Sequence, residues 1–232
     1  MGGYSELVKQ KVLGEINLEQ ENALGKILEQ SMDLLTMING LLHVTTIEAE
    51  AVRVEYAEIN LYKLLEDLRA NYDLPSGKDL SLNWDYPSDL PSMRTDGEKL
   101  KAVIQNLISN AIKFTEKGGV TVYVRHVPEA DMFELKVTDT GIEIPKEKVQ
   151  SIFDMFEQVD SSATRRYGGV GLGLYIAKKF TEILGGGVDV KRSWVGDPRS
   201  WYVCLWVLRR VTRILSVLTT ALFCEKAGVR KA

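Results

Sequence analysis

Between Gly168 and Gly187 the chain reads GGVGLGLYIAKKFTEILGGG, closely spaced glycines that run straight into a helical pattern. A loop of this kind leaves backbone amides unpaired at the start of a helix, where the aligned peptide dipoles favour an anion. The stretch therefore asks for a fold in which a phosphate can approach the backbone closely. It lacks the Lys-Ser/Thr ending of a Walker loop and does not follow a strand, so alone it does not say which phosphate chemistry is involved. Gly185 to Gly187 end the helix.

Residues 1–50 read as two helices joined by a turn. Tyr4, Leu7, Val8 and Val12 fall at helical spacing, Gly14 breaks the pattern, and Asn17 with Gln20 makes a capping box for the second helix. That helix carries Leu24, Ile27, Leu28, Leu34, Leu35, Ile38, Leu41 and Leu42 on one stripe. One hairpin cannot bury so wide a stripe, which predicts a homodimer completing a four-helix bundle; packing on the neighbouring domain is the alternative.

From Arg53 the period changes. Val54 and Tyr56 alternate as in an edge strand, 61–72 is helical, Pro75 to Lys78 is a turn, and Leu80, Leu82 and Trp84 alternate as a strand. Asp96 opens a long helix with Leu100, Val103, Ile104, Leu107, Ile108, Ala111 and Ile112 as its buried face. Lys117 to Gly119 is a turn, VTVYVRHV and FELKVTD are adjacent antiparallel strands, and VDVKRSW and WYVCLWVL are the last two. Helices interleaved with a mainly antiparallel sheet predict an α+β chain, its main domain an α/β two-layer sandwich.

With 29 Lys and Arg against 32 Asp and Glu, nothing favours nucleic acid as a partner. Cys204 and Cys224 have no metal-site spacing, which suits a reducing, cytoplasmic setting. No signal peptide is evident and no run reaches the roughly 20 apolar residues of a membrane span, so any membrane contact is expected through parts not in this chain.

Within the long helix Asn106, Asn110 and Lys113 share one face, as a pocket wall or as a solvated polar edge. DTGIEIP, Asp139 to Pro145, follows a strand; its carboxylate can accept from an exocyclic amine, and Gly141 lets backbone approach a flat ring, although an ordinary turn reads the same way. In FDMFEQ, Phe153 to Gln158, two aromatics would anchor the base of a loop.

The order and spacing of these segments decide between the alternatives. NLISNAIKFT, DTGIEIP, FDMFEQ and GGVGLGL resemble, in sequence, the N, first-glycine, F and second-glycine boxes of sensor histidine kinases, and SSATRRYGGVGLGL is similar to their ATP lid. MINGLLHVTTIEAE resembles their second dimerisation helix and LLEDL the first helix of their catalytic domain. The resemblance implies the Bergerat ATP-binding fold over residues 51–208 and a truncated dimerisation hairpin over residues 1–50; residues 209–232, a basic, apolar tail of unassigned role, have no counterpart in it. By it, Asn110 would bind Mg²⁺ on the ATP phosphates, Lys113 would touch a phosphate oxygen, and Asp139 beside Gly141 would accept from the adenine amine. Gly169, Gly171, Leu172 and Gly173 would line the phosphates, and Arg165 or Arg166 would stabilise transferring charge. The implied partners are a second copy and a response-regulator receiver domain.

Related hydrolases, the Hsp90-like chaperones, gyrase B subunits and MutL proteins, carry a Glu where this chain has Asn106. An amide cannot act as general base, which favours kinase over hydrolase. Three departures shape the expectation. The acceptor His before Glu-Leu-Arg-Thr-Pro would precede Gly3, and His43 and His126 read as packing or solvent-facing, so the chain should bind ATP without phosphorylating itself. Glu143 replaces a glycine and either weakens ATP binding or turns to solvent; the first case would favour a silent, dimerising scaffold. VGDPRSW keeps only one glycine of the closing turn, Gly196.

Overall fold

The computed structural model describes residues 4–72, 74, 78–158, 170–192 and 201–208. Two helices lead, α1 (Tyr4–Lys9) and α2 (Leu18–Glu48). The Asn17–Gln20 capping box forms with both bonds at 2.9 Å. Lys11 takes a positive φ, so α1 stops before Val12 and the first helix is shorter than its apolar spacing predicts.

Then follow β1 (Ala57–Ile59), α3 (Leu61–Ala70), β2 (Asp79–Asp85), β3 (Met93–Thr95) and α4 (Gly97–Phe114). After them come β4 (Lys117–Val127), β5 (Met132–Asp139), α5 (Gly173–Ile183), β6 (Gly187–Arg192) and β7 (Trp201–Leu208). The five-stranded sheet runs β2-β4-β5-β7-β6, antiparallel except for the parallel β2–β4 pair; β1 and β3 form a small separate ribbon. Val120, Val122, Val124, Phe133, Leu135, Val137, Leu205 and Val207 point to one face and pack with Val103, Leu107, Ile108, Ile176 and Phe180 of the helices. Strand alternation and helical period thus meet in one core, the two-layer α+β sandwich expected.

Four details differ from the sequence expectation. The first strand begins at Ala57, so Val54 and Tyr56 are not in it. β3 had no signal, being only 3 residues long. Lys117 to Gly119 is no turn but the start of β4, paired with Asp79 to Ser81. Gly118, at φ 117°, instead lets the Thr140 side chain lie against the strand, where its Oγ1 accepts from the Gly119 N–H at 3.1 Å, while Gly119 faces Ser81 of β2. Finally, Phe156 is exposed with φ 64°, so of the two aromatics only Phe153 is an anchor, in a small cluster with Ile152 and Val190, while Met155 packs against the main core.

The far end of α2 packs on the domain. A Cβ on Gly40 would stand 3.5 Å from Leu172 and 3.7 Å from Ile176, Val44 is buried, His43 meets the Phe180 ring edge-on, and the Tyr175 hydroxyl donates to Glu48. His43 is thus a packing histidine, and so is His126, which lies against Phe133. Leu34, Leu35, Ile38, Leu41 and Leu42 remain exposed.

Candidate functional site

α4 is a long amphipathic helix capped by Asp96, whose carboxylate accepts from the Lys99 N–H at 3.1 Å and from the Glu55 N–H at 3.0 Å. Its buried stripe fixes its rotation on the sheet, which turns Asn106 and Asn110 toward the start of α5. A Cβ on Gly173 would come within 3.0 Å of Asn106 Oδ1 and 3.2 Å of Asn110 Nδ2, so only glycine lets the two helices meet with both amides between them. The Asn106 Nδ2 donates back to the Ala102 carbonyl at 2.8 Å, which leaves its oxygen toward Gly173.

α5 starts without a side-chain cap: its N-cap is the buried Leu172, which has no acceptor to offer the first amides. Gly171, at φ 75°, reaches this start in a left-handed conformation. A Cβ there would lie 2.7 Å from the Glu157 carbonyl, and the Gly171 carbonyl accepts from the Phe156 N–H at 3.2 Å. The two boxes are therefore clamped backbone to backbone.

Lys113 lies one turn beyond Asn110, half-buried, its Nζ 5.3 Å from the Phe114 ring centre. Burial lowers its pKa, and the Asp33 carboxylate of α2 opposes that. At the end of β5, burial pushes the Asp139 carboxyl from its ordinary 3.8 up to about 6, against the bond its Oδ1 accepts from the Gly141 N–H at 2.9 Å. The chain then passes so close to α4 that a Cβ on Gly141 would sit 2.5 Å from the Phe114 carbonyl oxygen, which accepts from the Ile142 N–H at 3.2 Å.

The structure thus brings Asn106, Asn110, Gly171, Leu172 and Gly173 together and sets Asp139 and Gly141 against the end of α4, next to Lys113. Gly169, Arg165 and Arg166 lie outside the described residues, as does residue 224. Sequence reasoning missed the Lys148–Glu157 ion pair that braces the loop after Pro145, and Lys78, whose ammonium donates to three carbonyls at the end of α4. Lys148 and Lys78 stand in no motif, and although Glu157 belongs to FDMFEQ, only the fold brings each lysine to its partners.

The family described as histidine kinase-, DNA gyrase B-, and HSP90-like ATPase matches residues 95–208. The chain is 33% identical over 204 residues to hybrid signal transduction histidine kinase D of Dictyostelium discoideum, covering 86% of this chain and 13% of that protein. It is 35% identical over 206 residues to the sensor histidine kinase AruS of Pseudomonas aeruginosa, covering 86% of this chain and 20% of that protein. Across such curated relatives it spans from 13% to 29% of their length. The crystal structure of full-length ShkA in complex with AMPPNP shares the fold, with a TM-score of 0.67 at 24% identity over 89% of this chain and 42% of that one. With four boxes in register on a two-layer sandwich, this chain belongs to the sensor histidine kinases, of which it is a catalytic portion bearing the histidine kinase-type ATPase domain.

Proposed function

We propose that this chain binds ATP with Mg²⁺ between α4 and α5 and transfers the γ-phosphoryl group to a histidine, for relay to an aspartate on a response-regulator receiver domain. The observation that carries the reading is the meeting of Asn106, Asn110 and Gly173 at the uncapped start of α5, an amide-lined, cation-accepting wall for phosphates. Asn110 offers a carbonyl oxygen, a hard donor that suits Mg²⁺. The ion supplies charge neutralisation on the phosphates, and Lys113 adds a cation beside it. Gly171 and Gly173 keep the approach clear, and Gly169 and Arg166 are proposed as a further amide and a lid cation. Asp139 accepts from the adenine amine, in the ionised form that prevails above pH about 6. Asn106, an amide held by Ala102, orients and does not abstract a proton, which favours transfer to histidine over hydrolysis.

The exposed stripe of α2 supports a homodimer through residues 1–50, with residues 51–208 as the catalytic domain, residues 209–232 as a tail of unassigned role and the cytoplasm as the setting. Among the described residues no helix is long and apolar enough to cross a membrane.

The test is calorimetric titration with a nonhydrolysable ATP analogue and Mg²⁺, on this chain and on Asn110→Ala. Binding at micromolar to submillimolar nucleotide, weakened at least tenfold in the variant, is expected. A homologous acceptor helix supplied in trans should then gain acid-labile phosphate from ATP. No binding at millimolar nucleotide would leave a silent scaffold, and ATP turnover without an acceptor would favour a hydrolase.

A further inference from the structure

A helix end leaves its last four carbonyls without intrahelical donors, and a glycine turn usually settles them. α4 has no such turn: its C-cap, Thr115, is extended at φ −106° and ψ 115°. Each of its last carbonyls instead finds a donor elsewhere. Ala111 O accepts from Thr115 Oγ1 at 2.7 Å. Ile112 O and Lys113 O accept from Lys78 Nζ at 2.6 and 3.1 Å, and the same ammonium donates to Thr115 O at 3.1 Å. Phe114 O accepts from the Ile142 N–H.

An ammonium has three donors, and all three carbonyls lie within its reach. A cation at this end also opposes the negative pole of the helix. Lys78 is itself held in place, because the next residue, Asp79, enters the parallel register of β2 with Lys117 of β4. The sheet edge thus delivers a half-buried cation to the turn that carries Lys113 and whose Phe114 carbonyl anchors the Asp139–Ile142 loop.

We infer that Lys78 is a positioning residue for the nucleotide site: by capping α4 it fixes the Phe114 carbonyl, and through Ile142 and Gly141 it fixes the Asp139 carboxylate. The inference rests on the adenine role proposed for Asp139. Without the ammonium, the carbonyls of Ile112, Lys113 and Thr115 turn toward water, the last turn loosens, and the loop that holds Asp139 loses its anchor.

The experiment compares Lys78→Met and Lys78→Arg with the parent chain. Amide hydrogen exchange is read at Gly141 and Ile142, with Val122 and Leu135 in the central strands as reference, alongside titration with nonhydrolysable ATP and GTP analogues in Mg²⁺. In Lys78→Met, exchange at Ile142 should rise at least tenfold relative to the reference amides, affinity for the ATP analogue should fall about tenfold, and its advantage over the GTP analogue should shrink. Arginine keeps a multidentate cation and should restore affinity to within about threefold. Unchanged exchange at Ile142, a uniform rise across the sheet, or an arginine variant as impaired as the methionine one overturns the inference. If the parent chain binds no nucleotide, the adenine reading fails, and exchange at Ile142 still decides whether Lys78 holds the loop.

Discussion

Replacing Asp139 by asparagine should stabilise the nucleotide-free protein while destroying its nucleotide affinity. Burial raises the Asp139 pKa from 3.8 to about 6, so the ionised carboxylate is a cost that the empty fold bears at neutral pH. At ~1.36 kcal/mol per unit, a rise of about two units sets a ceiling of about 3 kcal/mol. Asparagine keeps an oxygen for the Gly141 N–H and removes the charge, so a gain of about 1–3 kcal/mol is expected at pH 8. A carboxyl whose folded pKa is raised binds more protons folded than unfolded between its two pKa values, so stability falls as pH climbs from about 4 to about 6 and stays low above. Urea unfolding of both proteins from pH 4.5 to 8, without nucleotide, should show the gap shrinking to about 1 kcal/mol at pH 4.5. With its oxygen kept by Gly141, the asparagine would present an NH₂ to the adenine amine, donor against donor, and affinity should drop about 10- to 100-fold by calorimetry. A variant less stable than its parent at pH 8, or a gap that does not change with pH, would refute the reasoning.

Gly187→Ala would place a Cβ 2.5 Å from Cζ2 of Trp206, and should cost about 1–3 kcal/mol in urea unfolding while leaving ATP affinity within twofold; an unchanged midpoint would show that the indole moves aside freely. Glu143 is exposed, so its carboxylate is screened by solvent and salt, and Glu143→Gly should change affinity by less than about threefold at ~0.15 M salt; a tenfold gain in calorimetry would show that the side chain faces the phosphates.

What the sequence showed best were features whose meaning is local. The buried stripe of α4 follows from a 3.6-residue period, and the same period sets Asn106 and Asn110 on one face, so both could be read before any packing was known. The glycines were legible as a requirement for space, but not as a requirement for space against what. Gly173 clears two amides on α4, Gly141 clears the Phe114 carbonyl at the end of the same helix, and Gly171 clears the Glu157 carbonyl in a loop, all neighbours far from these glycines in the local pattern. The glycine pair at 118 and 119 misled for the same reason, since a turn and a strand that must admit Thr140 at one position and Ser81 at the next ask for the same residue. β3 and the parallel pairing of β2 carry no local signature, because a short ribbon and an edge register are fixed by what lies beside them. Lys78 belongs with these, a polar residue before a strand until α4 ends within reach of it.

The docked end of α2 has a mechanical consequence. The helix has 31 residues, about 46 Å of rod at 1.5 Å per residue, and it meets the start of α5 at Gly40. The stretch from Leu18 to Gly40 is therefore a lever arm of about 33 Å, and a swing of about 10° around Gly40 carries its tip through about 6 Å. The fulcrum rests on Leu172 and Ile176, and the short arm bears through His43 on Phe180 and through Glu48 on Tyr175, all on the helix whose open amides face Asn106 and Asn110. A grip anywhere along the exposed stripe is geared down at that fulcrum, so a coarse displacement at the tip becomes a fine one at the amides.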